Sequence, residues 1–404
     1  MSLNSVYLRS LHLWHFRNYD DQGIQLSSPK TILVGDNAQG KTNLLEAVEL
    51  LATLRSRRAG RDRELVRTPD SQAQIAAIVE RMGVAHELVM DLRSSGRRSL
   101  KVNGQPLRRQ SEFLGQVNAV VFSSLDLELV RGGPESRRHW LDGVLIQLEP
   151  IYTGLLEHYR RVLKQRNALL KAQRDPFRPS TGEAATEMAF WDAELATAGS
   201  RIMRRRARLL QRLGPLANHW HQAISGGRET LTLAYRSQVP LVGSQIPPEG
   251  IPALSPEQVQ ALFLQEIRAK AAAELAVGSS LVGPHRDDVD MSINDTAARA
   301  YGSQGQQRTL VLALKLAELE LIEQVIGEPP LLLLDDVLAE LDLHRQNQLL
   351  DAIQNRVQTL VTTTHLGSFD ARWLSAAQIF QVQGGQLSPF KARDPVPMGE
   401  AGSL

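Results

Sequence analysis

The tightest constraint on this chain is an eight-residue stretch, "GDNAQGKT", residues 35–42. It fits G-x-x-x-x-G-K-[ST] and stands where that pattern has to stand, between an apolar run, "KTILV", and a helix. The helix runs from Thr42, with Leu44, Leu45, Val48 and Leu51 on one face. Backbone N–H groups of Gly35, Asp36, Asn37, Ala38, Gln39 and Gly40 then fold around nucleotide phosphates. Lys41 reaches the β- and γ-phosphates, and the Thr42 hydroxyl ligates Mg²⁺. The chain is therefore expected to hold an α/β nucleotide-binding unit.

The partner motif lies almost three hundred residues away. "LLLLDD", residues 331–336, is an apolar strand ending in two acids. Asp335 is placed to hold the Mg²⁺ shell through water, and Asp336 to orient or deprotonate an attacking water. Just before it comes "YGSQGQQR", residues 301–308, a Gly-, Ser- and Gln-rich loop that opens a long Leu/Ala-rich helix. Ser303, Gln304, Gly305 and Gln306 offer a hydroxyl, amides and free N–H groups at a helix N-terminus, where anions bind. A chain with one phosphate loop has no evident use in cis for a second. "ELD", residues 340–342, and "LVTTTH", ending in His365, follow.

Between these ends the texture changes. "VYLRSLHLWHF" sets Leu8, Leu11 and Leu13 among polar residues and reads as a strand, as do "AQIAAIVERMGVAHELVMDLR", "SLKVNG" and "VNAVVF". From 136 to about 174 apolar residues recur at three and four, predicting a helix with a break near Pro150. A second helix is expected over 186–213, a strand at "ETLTLAY", a Pro/Gly/Ser-rich linker over 240–256, and a third helix capped by Ser255. The expected division is 1–135 as one lobe of a head, 136–276 as a helical arm, 277–389 as the other lobe, and 390–404 as a disordered tail.

Composition excludes several classes. Hydrophobic content of 42% and charged content of 22% suit a globular protein. No apolar run is long enough to span a membrane, the start lacks the marks of a signal peptide, and there is no cysteine. A soluble cytoplasmic protein fits. The net charge of +2 says little, but arginines cluster: Arg55, Arg57, Arg58, Arg61, Arg63 and Arg67; then Arg93, Arg97, Arg98 and Lys101; then Arg201, Arg204, Arg205, Arg206 and Arg208. Any one cluster is either a solvated, ion-paired face or a contact for nucleic-acid phosphates. Arg55, Arg57 and Arg58, just after the phosphate-loop helix, are the candidates for DNA.

A Ser-Gln-Gly loop before an acidic strand, an "ELD" turn and a histidine ending the next strand together resemble the ABC-type ATPases. That likeness casts Ser303 to Gln306 as a signature loop and His365 as a switch histidine. Within that superfamily the chain most closely resembles the RecF family of bacterial recombination and replication-repair proteins. "LHLWHFRNYD", "GDNAQGKTNLLEA", "VVFSSLDLELVRGGPESRRHWLD", "LVGPHRDD", "YGSQGQQR" and "LLLLDDVLAELD" carry the likeness over nearly the whole chain. "GPHRDD" and "GGPESRRHWLD" are particular to that family, whereas Ser124 replaces its usual proline and residues near 175–185 are extra.

The resemblance implies an ABC-type head assembled from both chain ends, with a smaller helical arm inserted. It also implies ATP and Mg²⁺ as cofactors and an ATP-closed homodimer on DNA near single-strand/double-strand junctions or gapped duplex. RecR, and through it RecO, would be partners in loading RecA. In the shared site, ATP lies between residues 35–42 of one copy and 303–307 of the other. A long-coiled-coil SMC protein is excluded by length, and a transporter subunit has no use for such an insert. Asp336, shorter than the glutamate common there, predicts slow hydrolysis and leaves open a nucleotide-sensing scaffold with negligible turnover. Another ABC-type ATPase is the remaining alternative.

Overall fold

The computed structural model describes residues 6–174, 182–240, 250–354 and 356–390. The expected tail, most of the expected linker and part of the 175–185 insertion lie outside the described residues. The strands of the first half are β1 (Tyr7–Trp14), β2 (Asp21–Gln25), β3 (Lys30–Val34), β4 (Gln72–Arg81), β5 (Val84–Arg93), β6 (Ser99–Val102), β7 (Gln105–Pro106) and β8 (Ala119–Ser123). Those of the second are β9 (Leu231–Arg236), β10 (Asp288–Ile293), β11 (Thr296–Ala297), β12 (Leu331–Asp335), β13 (Thr359–Thr363), β14 (Ala377–Gln383) and β15 (Gln386–Pro389).

One sheet, β15-β14-β3-β13-β12-β8, is parallel apart from its β15 edge. Its strands β3, β8 and β13 are buried at every residue, and β12 at all but Asp335. Such unbroken apolar runs cannot present a wet face, so they end in a sheet covered on both sides. Helix Lys41–Thr53 and helix Gln304–Ile326 pack against it through long buried stretches.

The second sheet, β2-β1-β4-β5-β6-β7, is antiparallel. Leu8, Leu11 and Leu13 are all buried, although a strict two-residue period would put Leu8 and Leu11 on opposite faces. A bulge between Leu8 and Ser10 inserts the extra residue that brings them together. Gln358 ties the two sheets, accepting from the Leu8 N–H at 2.7 Å and donating to the Leu8 carbonyl at 3.0 Å.

The insert holds helices Pro134–Leu148 and Tyr152–Gln173, broken where Pro150 was expected to break them. The next helix, Gly182–Ser225, outruns the expected 186–213 and carries Pro215 inside it. Tertiary packing overrides the local signal: Ala217 and His221 are fully buried beyond the expected end, and the Trp220 indole donates to Glu320 at 2.8 Å. The third helix, Pro256–Val277, is capped by Ser255 as its sequence required. A third sheet, β11-β10-β9, pairs a strand of the insert with β10, so it straddles the boundary expected at 276/277.

The two stretches particular to the resembled family meet at this joint. Arg137 holds Asp288 through two hydrogen bonds of 2.7 and 3.0 Å, and Arg138 donates to the Asp287 carbonyl. Asp287 in turn accepts from Tyr235 at 2.5 Å and from the Gln238 N–H, and His285 pairs with Tyr159 at 2.6 Å. Their work is architectural.

Buried guanidiniums hold the rest. Arg166, 2% exposed, donates to Asp192, Ser280 and Glu274, the last of these fully buried. Removing one member of such a set leaves an uncompensated interior charge. Arg166→Met should therefore lower unfolding free energy by about 3–5 kcal/mol in urea titrations, and adding Glu274→Gln should recover part of the loss. A single variant as stable as the parent would remove the ion cluster from the framework.

Candidate nucleotide site

β3, β13 and β12 run parallel and adjacent, so their C-terminal ends deliver residues 35–42, the turn at His365 and Asp335–Asp336 to one edge, where α/β sheets bind ligands. The loop after β3 is shaped by close approaches. A side chain at Gly35 would put its Cβ 2.3 Å from the Val382 carbonyl oxygen. At Gly40, with φ of 117°, the Cβ would fall 2.7 Å from the Asn18 amide. The Lys41 ammonium arches back to accept nothing and donate twice, to the carbonyls of Gly35 at 2.7 Å and Asp36 at 3.0 Å.

Thr42 and Asp335, 293 residues apart, are joined by a 2.8 Å hydrogen bond from the hydroxyl to the carboxylate. The same carboxylate oxygen accepts from Thr362 of β13 at 2.9 Å, and Thr362 accepts from the Asp336 N–H at 2.8 Å. Burial pushes the Asp335 carboxyl up, the two hydroxyls draw it back, and Asp336 beside it pushes it up again. A hydroxyl and a carboxylate, both hard oxygen donors, fit Mg²⁺, which takes few protein ligands and keeps water and phosphate for the rest. Asp336 itself stands in the left-handed region at φ 52° and begins a short helical turn.

Several residues that shape the site carry no periodic signal in the sequence. Asn18 donates to the Gln39 carbonyl at 2.9 Å, and Tyr19 to the Gly40 carbonyl at 3.0 Å. Arg17 grips Glu46 through bonds of 2.9 and 2.7 Å. From the other end of the chain, the Gly384–Gly385 turn between β14 and β15 bonds the side chain and the backbone of Gln39. Glycine pairs mark hairpin turns, so that turn was readable, but not what it touches.

The second loop stands apart. No hydrogen bond or ion pair among the described residues links Ser303, Gln304, Gly305 or Gln306 to residues 35–42. Ser303 caps helix Gln304–Ile326 in a reciprocal box with Gln306, and both Ser303 and Gln304 are exposed. Gln306 donates to Glu229 of the insert at 2.8 Å. Arg345 donates to the Gly305 carbonyl and to Thr309, and pairs with Asp342 of the "ELD" turn. Exposed Tyr301 and Leu343 flank the loop. His365 is exposed, its backbone bonded to Thr363.

The three arginines expected to meet DNA line one cavity but differ in their partners. Arg57 is occupied: it pairs with Asp126 at 2.7 Å and Glu49 at 2.9 Å, and Asp126 also meets buried Lys315. It is a paired brace, still about a third exposed at its side chain, rather than a free cation. Arg58 donates to Asn43, which donates to Asn18, so it connects to the phosphate loop through two side chains. Among the described residues Arg55 has no side-chain hydrogen bond or ion pair. Elsewhere the clusters largely follow the paired reading: Arg67 with Asp20, Arg98 with Asp62, Lys101 with Asp91, Arg205 with Glu149, and buried Arg206 with Asp142.

Comparison with known proteins bears on this geometry. The family model described as the RecF/RecN/SMC N-terminal domain matches residues 7–386. The DNA replication and repair protein RecF of Synechococcus sp. (strain JA-2-3B'a(2-13)) is 76% identical over 392 residues, covering 97% of this chain and all of that protein. RecF of Cyanothece sp. (strain PCC 7425 / ATCC 29141) is 60% identical, over 95% of this chain and 98% of that protein. Among solved structures, the recombination mediator protein RecF-ATP in the RecFOR pathway is similar with a TM-score of 0.85 and 30% identity, covering 96% of this chain and 98% of that one. With an ABC-type head closed from both ends of the sequence and full-length likeness to these proteins, the chain belongs to the RecF family of DNA replication and repair proteins.

Proposed function

We propose that this chain is an ATP-dependent DNA-binding protein of recombinational repair and replication maintenance. It dimerises on ATP, binds near single-strand/double-strand junctions, and acts with RecR and RecO in loading RecA at gaps. The observation that carries the nucleotide part is the Thr42–Asp335 bond beside Lys41, with all three set at one sheet edge. The dimer is supported by the exposed Ser303 loop, which has no bond to that site in its own chain and is flanked by exposed Tyr301 and Leu343. The similar solved RecF, described as bound to ATP, agrees with the choice of nucleotide.

Bound ATP and Mg²⁺ supply the transferable phosphoryl group and the cation that offsets its charge. Lys41 exchanges its two loop carbonyls for phosphate oxygens. Thr42 and Asp335 hold the metal end, and Thr362 keeps the Asp335 carboxylate turned toward Thr42. Asp336 orients the attacking water and takes its proton, with His365 near it at the end of the adjacent strand. Asp336 is one methylene shorter than glutamate, roughly 1.5 Å of reach, so turnover is slow and DNA accelerates it by improving the fit. Arg55 and Arg58 meet DNA phosphates without reading bases.

Lys41→Ala should abolish tight ATP binding and ATP-driven dimerisation, measured by calorimetry and by mass; unchanged affinity would remove the assignment of residues 35–42. Asn18→Ala, which frees the Gln39 carbonyl, should weaken ATP about tenfold, since one polar contact to a constrained loop is worth about 1–1.5 kcal/mol. Asp336→Asn should still bind ATP and dimerise but persist closed; rapid turnover in that variant would give water activation to another residue. For the shared site, Lys41→Ala and Ser303→Arg should each be inactive alone. Mixed, they restore one composite site, and partial hydrolysis should return. Hydrolysis by isolated monomeric Ser303→Arg would end the shared-site reading.

A further inference from the structure

A cavity of about 690 Å³ opens where the arginine loop after helix Lys41–Thr53 faces helices Pro134–Leu148 and Tyr152–Gln173. Among the described residues, all its acids but exposed Glu128 are spoken for, Glu49 by Arg57. Asp62 pairs with Arg98, Asp126 with Arg57 and Lys315, and Glu318 with Lys315 and Trp140. Its remaining cations are not, Arg58 apart, which donates to Asn43 and pairs with Glu46 at 3.7 Å. Among the described residues, Arg55, Arg61 and Arg160 line the cavity with no side-chain hydrogen bond or ion pair, and His139 has only Glu135, at 3.9 Å.

Two of these cations oppose each other across the head–insert joint. Arg160 bears electrostatically on Arg55 and on His139, and Arg55 bears on His139 as well. Asp142 and Glu157 act on Arg55 only at longer range, and Asp142 is already engaged by Arg206 and Tyr152. Arg61 and Arg160 are exposed, but Arg55 is half-buried, and a guanidinium left there without an acceptor is costly, because burial strips its water and returns nothing. An anion carrying several acceptor oxygens would satisfy them, and the planar forks of Arg55 and Arg160 match the oxygens of a phosphate.

We propose that this cavity is a phosphate clamp for the nucleic-acid backbone, gripped from the head by Arg55 and from the insert by Arg160. It rests on the DNA-binding reading above and adds a specific seat for the strand. The clamp draws one cation from each side of the joint, so DNA held there fixes the insert against the ATPase head.

The full-length protein with ATP and Mg²⁺ is titrated into a fluorescent 30-base-pair duplex over a salt series, following anisotropy. The double variant Arg55→Gln/Arg160→Gln should bind about tenfold more weakly and lose about two from the slope of log affinity against log salt, one for each phosphate contact. Arg160→Lys keeps the charge and should keep the slope. Gly143→Glu provides a second route that removes no existing contact. Gly143 lines the cavity with open space where a side chain would start, so the new carboxylate enters beside Arg55 and should reduce affinity likewise. Melting temperatures confirm that each variant is folded; should the double variant unfold, Gly143→Glu alone decides. Folded variants that match the parent in affinity and slope overturn the clamp and leave DNA binding in place. A parent protein that does not bind duplex overturns the DNA reading itself.

Discussion

The head depends on one act of insertion: β3, thirty residues into the chain, is hydrogen-bonded between β13 and β14, more than three hundred residues later. Until that strand is enclosed, the parallel sheet has a gap at its centre and the phosphate loop has no frame. Closing so long a loop costs entropy that grows only slowly with length, and the compensation comes at once from apolar strands buried on both faces. The nucleotide site is a product of that closure. Thr42 reaches Asp335 only because β13 lies between their strands and offers Thr362 to both acids.

The loop that follows β3 is gripped from both sides in sequence. Asn18 and Tyr19 hold it from upstream, and the Gly384–Gly385 turn from downstream. A backbone arranged this way is set before any phosphate arrives, so binding need not order it. Arg58 extends the same chain of contacts, through Asn43 and Asn18, out to the basic surface.

Arginine has two separate occupations in this molecule. Arg137, Arg166 and Arg206 are enclosed and Arg57 is partly so, and each is matched by carboxylates. Such pairs do not add much net stability, but they specify which elements meet, because a misplaced charge is far worse than a satisfied one. Among the described residues, Arg55, Arg61 and Arg160 have the opposite status, cationic and without a carboxylate partner. The neighbouring Arg55 and Arg57 differ in nothing that the sequence displays. Both line the same cavity, but Arg57 reaches Asp126 and Glu49 while Arg55 faces Arg160.

Local chemistry settled much in advance. "GDNAQGKT" after an apolar strand, "LLLLDD", the Ser303-capped loop and the break at Pro150 each state their conformation through residues near in sequence, and the strands that periodicity named stand where it put them, while β2, β10, β11, β14 and β15 carried no such signal. What only tertiary structure decided is whatever needed partners from afar. The helix through Pro215 runs on because the core continues beneath it, Leu8 joins Leu11 on one face because β4 imposes a bulge, and "GPHRDD" turns out to brace the joint rather than perform chemistry. The same reason governs the arginines: a side chain's charge is written in its residue type, but its counter-ion is chosen by whichever strand or helix the fold brings within reach.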